Sequence, residues 1–190
     1  MKTIDPDAER MVRFQQGDRA AFEVLFEKYH PPLLRFAYRF LINQSDAEEV
    51  VQETFLQVYQ AAPNYQPLAR FSTWLYTIAK NRCLNRLRAG GDESFGEDLF
   101  PEGIEIIPSG DPPPDRELER REISHLVQRA IGELPPSLRL PLILRRYEEL
   151  SYEEIAEIAG CTVTAVKLRL HRAKLLLAKE LAPYFREKEK

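Results

Sequence analysis

The chain has 190 residues, 44% hydrophobic and 10% aromatic, with 27 Lys and Arg against 30 Asp and Glu for a formal net charge of −3. That is enough apolar material for one ordinary domain or two small ones, and it excludes global disorder. No apolar run approaches the roughly 18 residues of a membrane span, the charged start Met1–Arg10 has no signal-peptide core, and the widely separated Cys83 and Cys161 exclude a disulfide framework or cysteine-rich zinc site. The composition reads as a soluble cytoplasmic protein with no membrane insertion.

The periodic segments predict helices throughout. Asp18 is the expected cap of a first helix, with Phe22, Leu25, Phe26 and Tyr29 inward at helical spacing. Pro31-Pro32 should break it, and a second helix should follow with Leu33, Leu34, Ala37 and Leu41 inward. Ser45 and Glu48 have capping-box spacing and open a helix to about Gln60, with Val51, Phe55, Val58 and Tyr59 on one side. Ala61–Arg70 reads as a loop, and Phe71–Arg88 returns to helix. Beyond residue 114, Asp115 should cap a helix to about Glu133, and another should cover Ser137–Glu149 with a late start or kink at Pro141. No alternating strand pattern appears. The expected fold class is all-α.

Charge divides the chain. Residues 1–89 hold 12 basic and 10 acidic side chains, and residues 115–190 hold 15 and 13. Residues 90–114 hold seven acids and no base, together with Gly90, Gly91, Gly96, Gly103 and the run Asp111-Pro-Pro-Pro-Asp115. Acidic, Gly- and Pro-rich composition without periodicity predicts a flexible linker between two small units, 1–89 and 115–190.

Residues 151–178 have the shape of a helix-turn-helix. Ser151 and Glu154 make a capping box, Gly160 supplies the turn and Thr162 caps the next helix. Val166, Leu170, Ala173 and Leu177 form its inward stripe, which turns Thr164, Lys167, Leu168, His171, Arg172 and Lys174 outward. Val163–Lys179 contains no acid, so these cations suit phosphates and base edges. An amphipathic bundle hairpin would share the periodicity. Phe71–Arg88 is a second acid-free basic segment, in which three aromatics beside Lys80, Asn81 and Arg82 suit the stacking of unpaired bases. Trp74, on a helical stripe, is equally suited to a core.

The segments DAEEVVQETFLQVY (46–59) and FSTWLYTIAKNRCLNRLR (71–88) resemble domain 2 of extracytoplasmic-function sigma factors of the sigma-70 family. Residues 134–177 resemble domain 4 of the same proteins. The resemblance implies a promoter-specificity subunit of bacterial RNA polymerase, with no chemistry of its own and no cofactor. Its partners would be core RNA polymerase, promoter DNA and a cognate anti-sigma factor. By motif position, Asp46, Glu49, Gln52, Glu53 and Gln57 would bind core polymerase. Asn64, Tyr65, Phe71, Trp74, Tyr76, Lys80, Asn81 and Arg82 would recognise and melt the −10 element. Thr164, Lys167, Leu168, His171, Arg172 and Lys174 would read the −35 element. Leu168 stands where many relatives carry a small polar residue, so the −35 base preference does not carry over. The competing reading is a two-domain helix-turn-helix regulator that ignores core polymerase. A helical enzyme is more distant, because His30, His125 and His171 are scattered and no metal-ligand spacing emerges.

Overall fold

The computed structural model describes residues 5–90 and 117–186, with side chains over 5–90 and 123–184. Eight α-helices carry the described residues, with no strand among them: α1 (Pro6–Gln15), α2 (Arg19–Leu41), α3 (Gln44–Ala61), α4 (Phe71–Ala89), α5 (Glu117–Gly132), α6 (Pro136–Arg146), α7 (Tyr152–Ala159) and α8 (Val163–Arg186). The expected Asp115 cap and, beyond Gly90, the acidic linker lie outside the described residues. Among the described residues, no helix is long and apolar enough to cross a membrane.

Helix α1 was not expected from the sequence, and it fastens the first half. Asp5 caps it by accepting from the Asp7 backbone N–H at 3.1 Å, while its second oxygen accepts from the Phe71 N–H at 2.7 Å. One carboxylate therefore satisfies orphan donors at the starts of α1 and α4. Asp7, 4% exposed, accepts from the Tyr29 hydroxyl at 2.7 Å, from Arg10 at 2.9 Å and from Lys28. Burial opposes its ionisation, but the hydrogen bonds from Lys28 and Tyr29 and the charges of Lys28 and Arg10 outweigh it, holding the carboxyl below its ordinary range.

The break expected at Pro31-Pro32 does not occur, and α2 runs through both prolines. Leu25, Tyr29, Leu33 and Phe36 stay in phase across them and are buried, so packing on one face outweighs the two lost donors. Pro31, Glu27 and Lys28 are exposed, which leaves the freed carbonyls on the water side. Asp18 caps α2 as expected, accepting from the Ala21 N–H at 3.3 Å. The cap of α3 is instead Asn43, which accepts from the Asp46 N–H at 3.1 Å; the chain is already helical at Ser45. Phe26 and Tyr59, expected inward, are 40% and 50% exposed. The late start expected from Pro141 is also absent: α6 begins at Pro136, where a missing N–H costs no helical bond.

Phe36, Phe40, Phe71, Leu25, Leu33 and Leu75 of the first half and Ile131, Ile143, Leu144, Ile155 and Ile158 of the second form one continuous buried core. The halves meet where α2 packs on α5 and α6 and where α4 packs on α7. Arg139, 6% exposed, is the joint: its guanidinium donates to Leu134 O at 2.9 Å, to Gly132 O and, across the halves, to Phe40 O. Gly132 O and Phe40 O are carbonyls left at the ends of α5 and α2, where the negative ends of two helix dipoles converge on one cation. Leu134 O belongs to the turn that follows α5.

Arg139→Leu should lower stability by about 2–4 kcal/mol, because three buried acceptors lose a charged donor. Arg139→Lys should recover little of it, since an ammonium cannot bridge both helix ends. Denaturant titration of the three proteins checks this; equal midpoints would remove Arg139 as the joint. The Asp7 cluster has its own pH signature. Its native carboxyl is depressed, so its contribution is full above the ordinary value of 3.8 and is lost as pH falls through the native value. The stability difference between wild type and Asp7→Asn should therefore close below that pH.

Candidate nucleic-acid interface

The helix-turn-helix forms as its residues dictate. Ser151 and Glu154 exchange hydrogen bonds of 3.2 and 2.9 Å to open α7. Gly160 ends α7 at φ 66°, and a Cβ there would meet nothing within 4 Å, so the backbone angle alone demands glycine. Thr162 Oγ1 then accepts from the Ala165 N–H at 3.1 Å and starts α8. Val166, Leu170 and Ala173 are buried. Thr164, Lys167, Leu168, His171 and Lys174 are exposed along the opposite face, with Arg172 half-buried at its margin.

Two cations missed in the sequence join this face. Arg145 and Arg146, at the end of α6, line a cleft of about 700 Å³ with Lys167, His171 and Lys174. Arg145 donates to Leu150 O at 2.8 Å, and the Tyr152 ring lies 5.0 Å from its guanidinium and 5.5 Å from the Lys167 ammonium. The ring holds two cations in place on one rim. The adjacent Arg-Arg just before the capping box was the available signal.

In the first half, the candidate −10 residues separate into surface and core. Asn64 ends a single 3₁₀ turn (Ala62–Asn64) and is exposed, as is Asn81 on α4. Leu68, at 88% exposure, is the most exposed large apolar side chain among the described residues. Phe71 is fully buried, with ring centroids 5.3 Å from Tyr29 and 5.9 Å from Trp74. Tyr65 is 7% exposed, its ring 5.0 Å from Trp74 and its hydroxyl buried without a hydrogen bond. Burial, with the Asp5 charge, pushes that hydroxyl up to about 12. Gln15 of α1 donates to Pro63 O at 3.0 Å and Tyr65 O at 3.3 Å, which anchors the loop through its backbone. Tyr76 is 3% exposed and Lys80 half-buried; burial holds the Lys80 ammonium below its ordinary value.

The candidate polymerase residues of α3 lie against α4. Arg82 donates to Gln57 at 3.0 Å and Glu53 at 3.2 Å, and Arg86 pairs with Glu49 and, at 3.5 Å, with Asp46. Gln52 points to solvent. Glu49 and Glu53 stay exposed despite these pairs, so the acidic face remains open to a partner.

Residues 25–92 match the family model of sigma-70 region 2, and residues 124–177 that of sigma-70 region 4. The sigma-H factor of Pseudomonas aeruginosa RNA polymerase is 37% identical over 98% of this chain and 100% of its own length. The chain belongs to the sigma-70 family. Within it, the extracytoplasmic-function sigma-E factor of Haemophilus influenzae is 34% identical over 93% of this chain and 96% of that protein. In structure, the sigma factor RpoE of Bartonella quintana, solved with the anti-sigma factor NepR, superposes with a TM-score of 0.63 at 26% identity, covering 85% of this chain and 96% of that one. CnrH, solved with the cytosolic domain of CnrY, shares the fold at a TM-score of 0.71 and 24% identity, covering 94% of this chain and 99% of that one. The chain is thus an RNA polymerase sigma factor of the extracytoplasmic-function type, a transcription-initiation factor and not an enzyme. Region 2 comprises α2 from Leu25, α3, α4 and the loop between the last two; region 4 comprises most of α5 and all of α6 and α7, with α8 to residue 177.

Two substitutions on α8 separate its faces. Val166→Asp, which buries a charge at a position 0% exposed, should unfold region 4. Leu168→Asp, at a position 44% exposed, should change stability by no more than about 0.5 kcal/mol. Circular dichroism melts check both; equal melts would refute the division.

Proposed function

We propose that the exposed face of α8 reads the −35 element, that the loop before α4 and the adjoining surface of α4 capture the melted −10 strand, and that α3 docks on core polymerase. The observation that carries this is the division of α8, whose buried stripe leaves Thr164, Lys167, Leu168, His171 and Lys174 in one outward row. A single helix with one apolar face and one acid-free polar face suits the major groove. Arg145 and Arg146 extend that row and would hold phosphates on either side of it. The glutamates of α7 repel DNA, so α7 braces while α8 inserts.

Unpaired bases need a different device. Flipping a base costs a few kcal/mol of stacking and pairing, which a fitted pocket must offset. Half-buried Trp74, backed by the buried Tyr65 ring, would form the wall of such a pocket, with exposed Leu68 and Asn64 its rim and Asn81 a polar contact. Arg82 sits between two roles: it holds Gln57 and Glu53 and also borders the strand surface.

The division into 1–89, a linker over 90–114 and 115–190 follows the charge pattern. The relative solved with the anti-sigma factor NepR supports an anti-sigma factor as a partner of this chain. Cytoplasmic action follows from the polymerase it serves.

Transcription with purified core polymerase, on promoter libraries varied separately at −10 and −35, tests the assignment. Arg172→Ala should relax −35 selection by about 1–3 kcal/mol if the guanidinium makes a bidentate base contact. Arg145→Ala with Arg146→Ala should weaken binding to all sequences alike and flatten the salt dependence. Exchanging the exposed loop positions 64 and 66–68 for those of a relative, with buried Tyr65 kept, should transfer −10 preference and leave −35 preference unchanged. An unaltered −10 preference in an active protein would reduce the loop to a connector.

A further inference from the structure

We propose that α1 splints the −10 loop: Gln15 and Asp5, at opposite ends of this helix, hold the two ends of residues 62–70 and are positioning residues for the choice of unpaired base. This rests on the reading of that loop as the −10 reader. Helix α1 precedes the residues that match the family model of region 2, which begin at residue 25, so the match itself gives it no role.

The splint is itself fixed to the fold. Ala8, Met11 and Phe14 are buried on one face of α1, and the Phe14 ring lies 4.7 Å from Phe22 of α2 and 5.2 Å from Tyr59 of α3. The Asp7 carboxylate adds its bonds to Lys28 and Tyr29 of α2. Ten helical residues make a stiff rod of about 15 Å, and its two ends reach the two ends of the loop. At the C-terminal end, Gln15 Nε2 donates to Pro63 O at 3.0 Å and to Tyr65 O at 3.3 Å. At the N-terminal end, Asp5 Oδ1 accepts from the Asp7 N–H at 3.1 Å and Oδ2 from the Phe71 N–H at 2.7 Å.

These contacts go to main-chain atoms, so they set where the loop runs whatever side chains it carries. The loop's own bonds are short-range: the Tyr65 N–H donates to Ala62 O at 3.1 Å and the Leu68 N–H to Gln66 O at 2.8 Å. Such turns shape the loop locally without tying it to a helix. An ion pair of Arg70 with Glu154 at 3.1 Å holds a side chain rather than the main chain, and solvent screens it. Asn64, Gln66, Pro67 and Leu68 stand exposed between the two anchors. A binding constellation discriminates only while its supporting contacts hold it to within about 0.5 Å, so the anchors act on base choice without touching the base.

The test uses the full chain. Gln15 is exposed, so Gln15→Glu keeps the size of a surface side chain while turning an acceptor toward two carbonyls, whereas Gln15→Lys restores donors at similar reach. Asp5→Asn keeps one acceptor and loses the other, so it can cap α1 or Phe71 but not both. Arg13→Ala breaks a surface pair with Asp18 on the same helix and controls for lost stability. Trp74 is the single tryptophan of the chain and lies 5.0 Å from the Tyr65 ring, so acrylamide quenching of its fluorescence reports the loop without polymerase or DNA. Gln15→Glu and Asp5→Asn should raise the quenching constant roughly twofold through local opening, while Gln15→Lys and Arg13→Ala match wild type. In transcription on the −10 and −35 libraries, the first two variants should lose about two- to tenfold of −10 base selectivity, the range that one hydrogen bond's net contribution implies. Selectivity at −35 and the half-saturating polymerase concentration should not change. The loop graft at positions 64 and 66–68 runs alongside. Unchanged quenching in both variants would overturn the splint, and so would intact −10 selectivity in both while the graft transfers preference. Parallel loss at −10 and −35, or an equal loss in Arg13→Ala, would overturn positioning and leave α1 a structural support. A graft that transfers nothing would overturn the −10 reading itself, and the proposal with it, whatever the quenching shows.

Discussion

The shape of this protein depends on how two helices from different halves end at one place. Every α-helix leaves carbonyls without partners at its C-terminus. Here α2 and α5 finish close together, and their open carbonyls would face each other in a buried space. The Arg139 guanidinium satisfies both ends, donating to Phe40 O on one side and to Gly132 O and Leu134 O on the other. Its planar fork suits several acceptors at fixed angles, and its charge meets two negative dipole ends. Much follows from that joint, including which face of α4 the second half covers.

A second organising feature is the pairing of charge across α3 and α4. Glu49, Glu53, Asp46 and Gln57 meet Arg82 and Arg86, so α3 and α4 share one electrostatic seam. A partner that draws on those carboxylates competes with the arginines, and phosphate approaching the arginines competes with the carboxylates. Such exposed pairs contribute little to stability, so exchange between partners costs little.

The helix-turn-helix was legible because its determinants are local. A capping box, a glycine in the left-handed region, a threonine cap and an apolar stripe all lie within 151–173, and each acts on its own neighbours. The break expected at Pro31-Pro32 failed for the opposite reason, since the packing of Tyr29, Leu33 and Phe36 on other helices decides that segment. Helix α1 went unseen because Asp5 and Asp7 read as ordinary acids, although their partners lie at Phe71, Lys28 and Tyr29. Among candidate site residues, the outward row of α8 followed from periodicity. The partner of the Tyr76 hydroxyl is Glu148, 72 residues away, which no spacing rule encodes.

Ile42 and Gly132 occupy conformations that would ordinarily suit each other's side chains. Ile42 holds a left-handed backbone at φ 56°, where a β-branched residue is strained and glycine is at ease. Gly132 is an ordinary helical position, and helices disfavour glycine there. The isoleucine Cγ1 lies only 3.0 Å from where a Cβ on residue 132 would stand. Each residue is thus poor for its own backbone position and suited to the other. Substituting glycine at 42 relieves the backbone but leaves a gap, and adding a side chain at 132 crowds Ile42. Two positions 90 residues apart thus share one close contact between the halves.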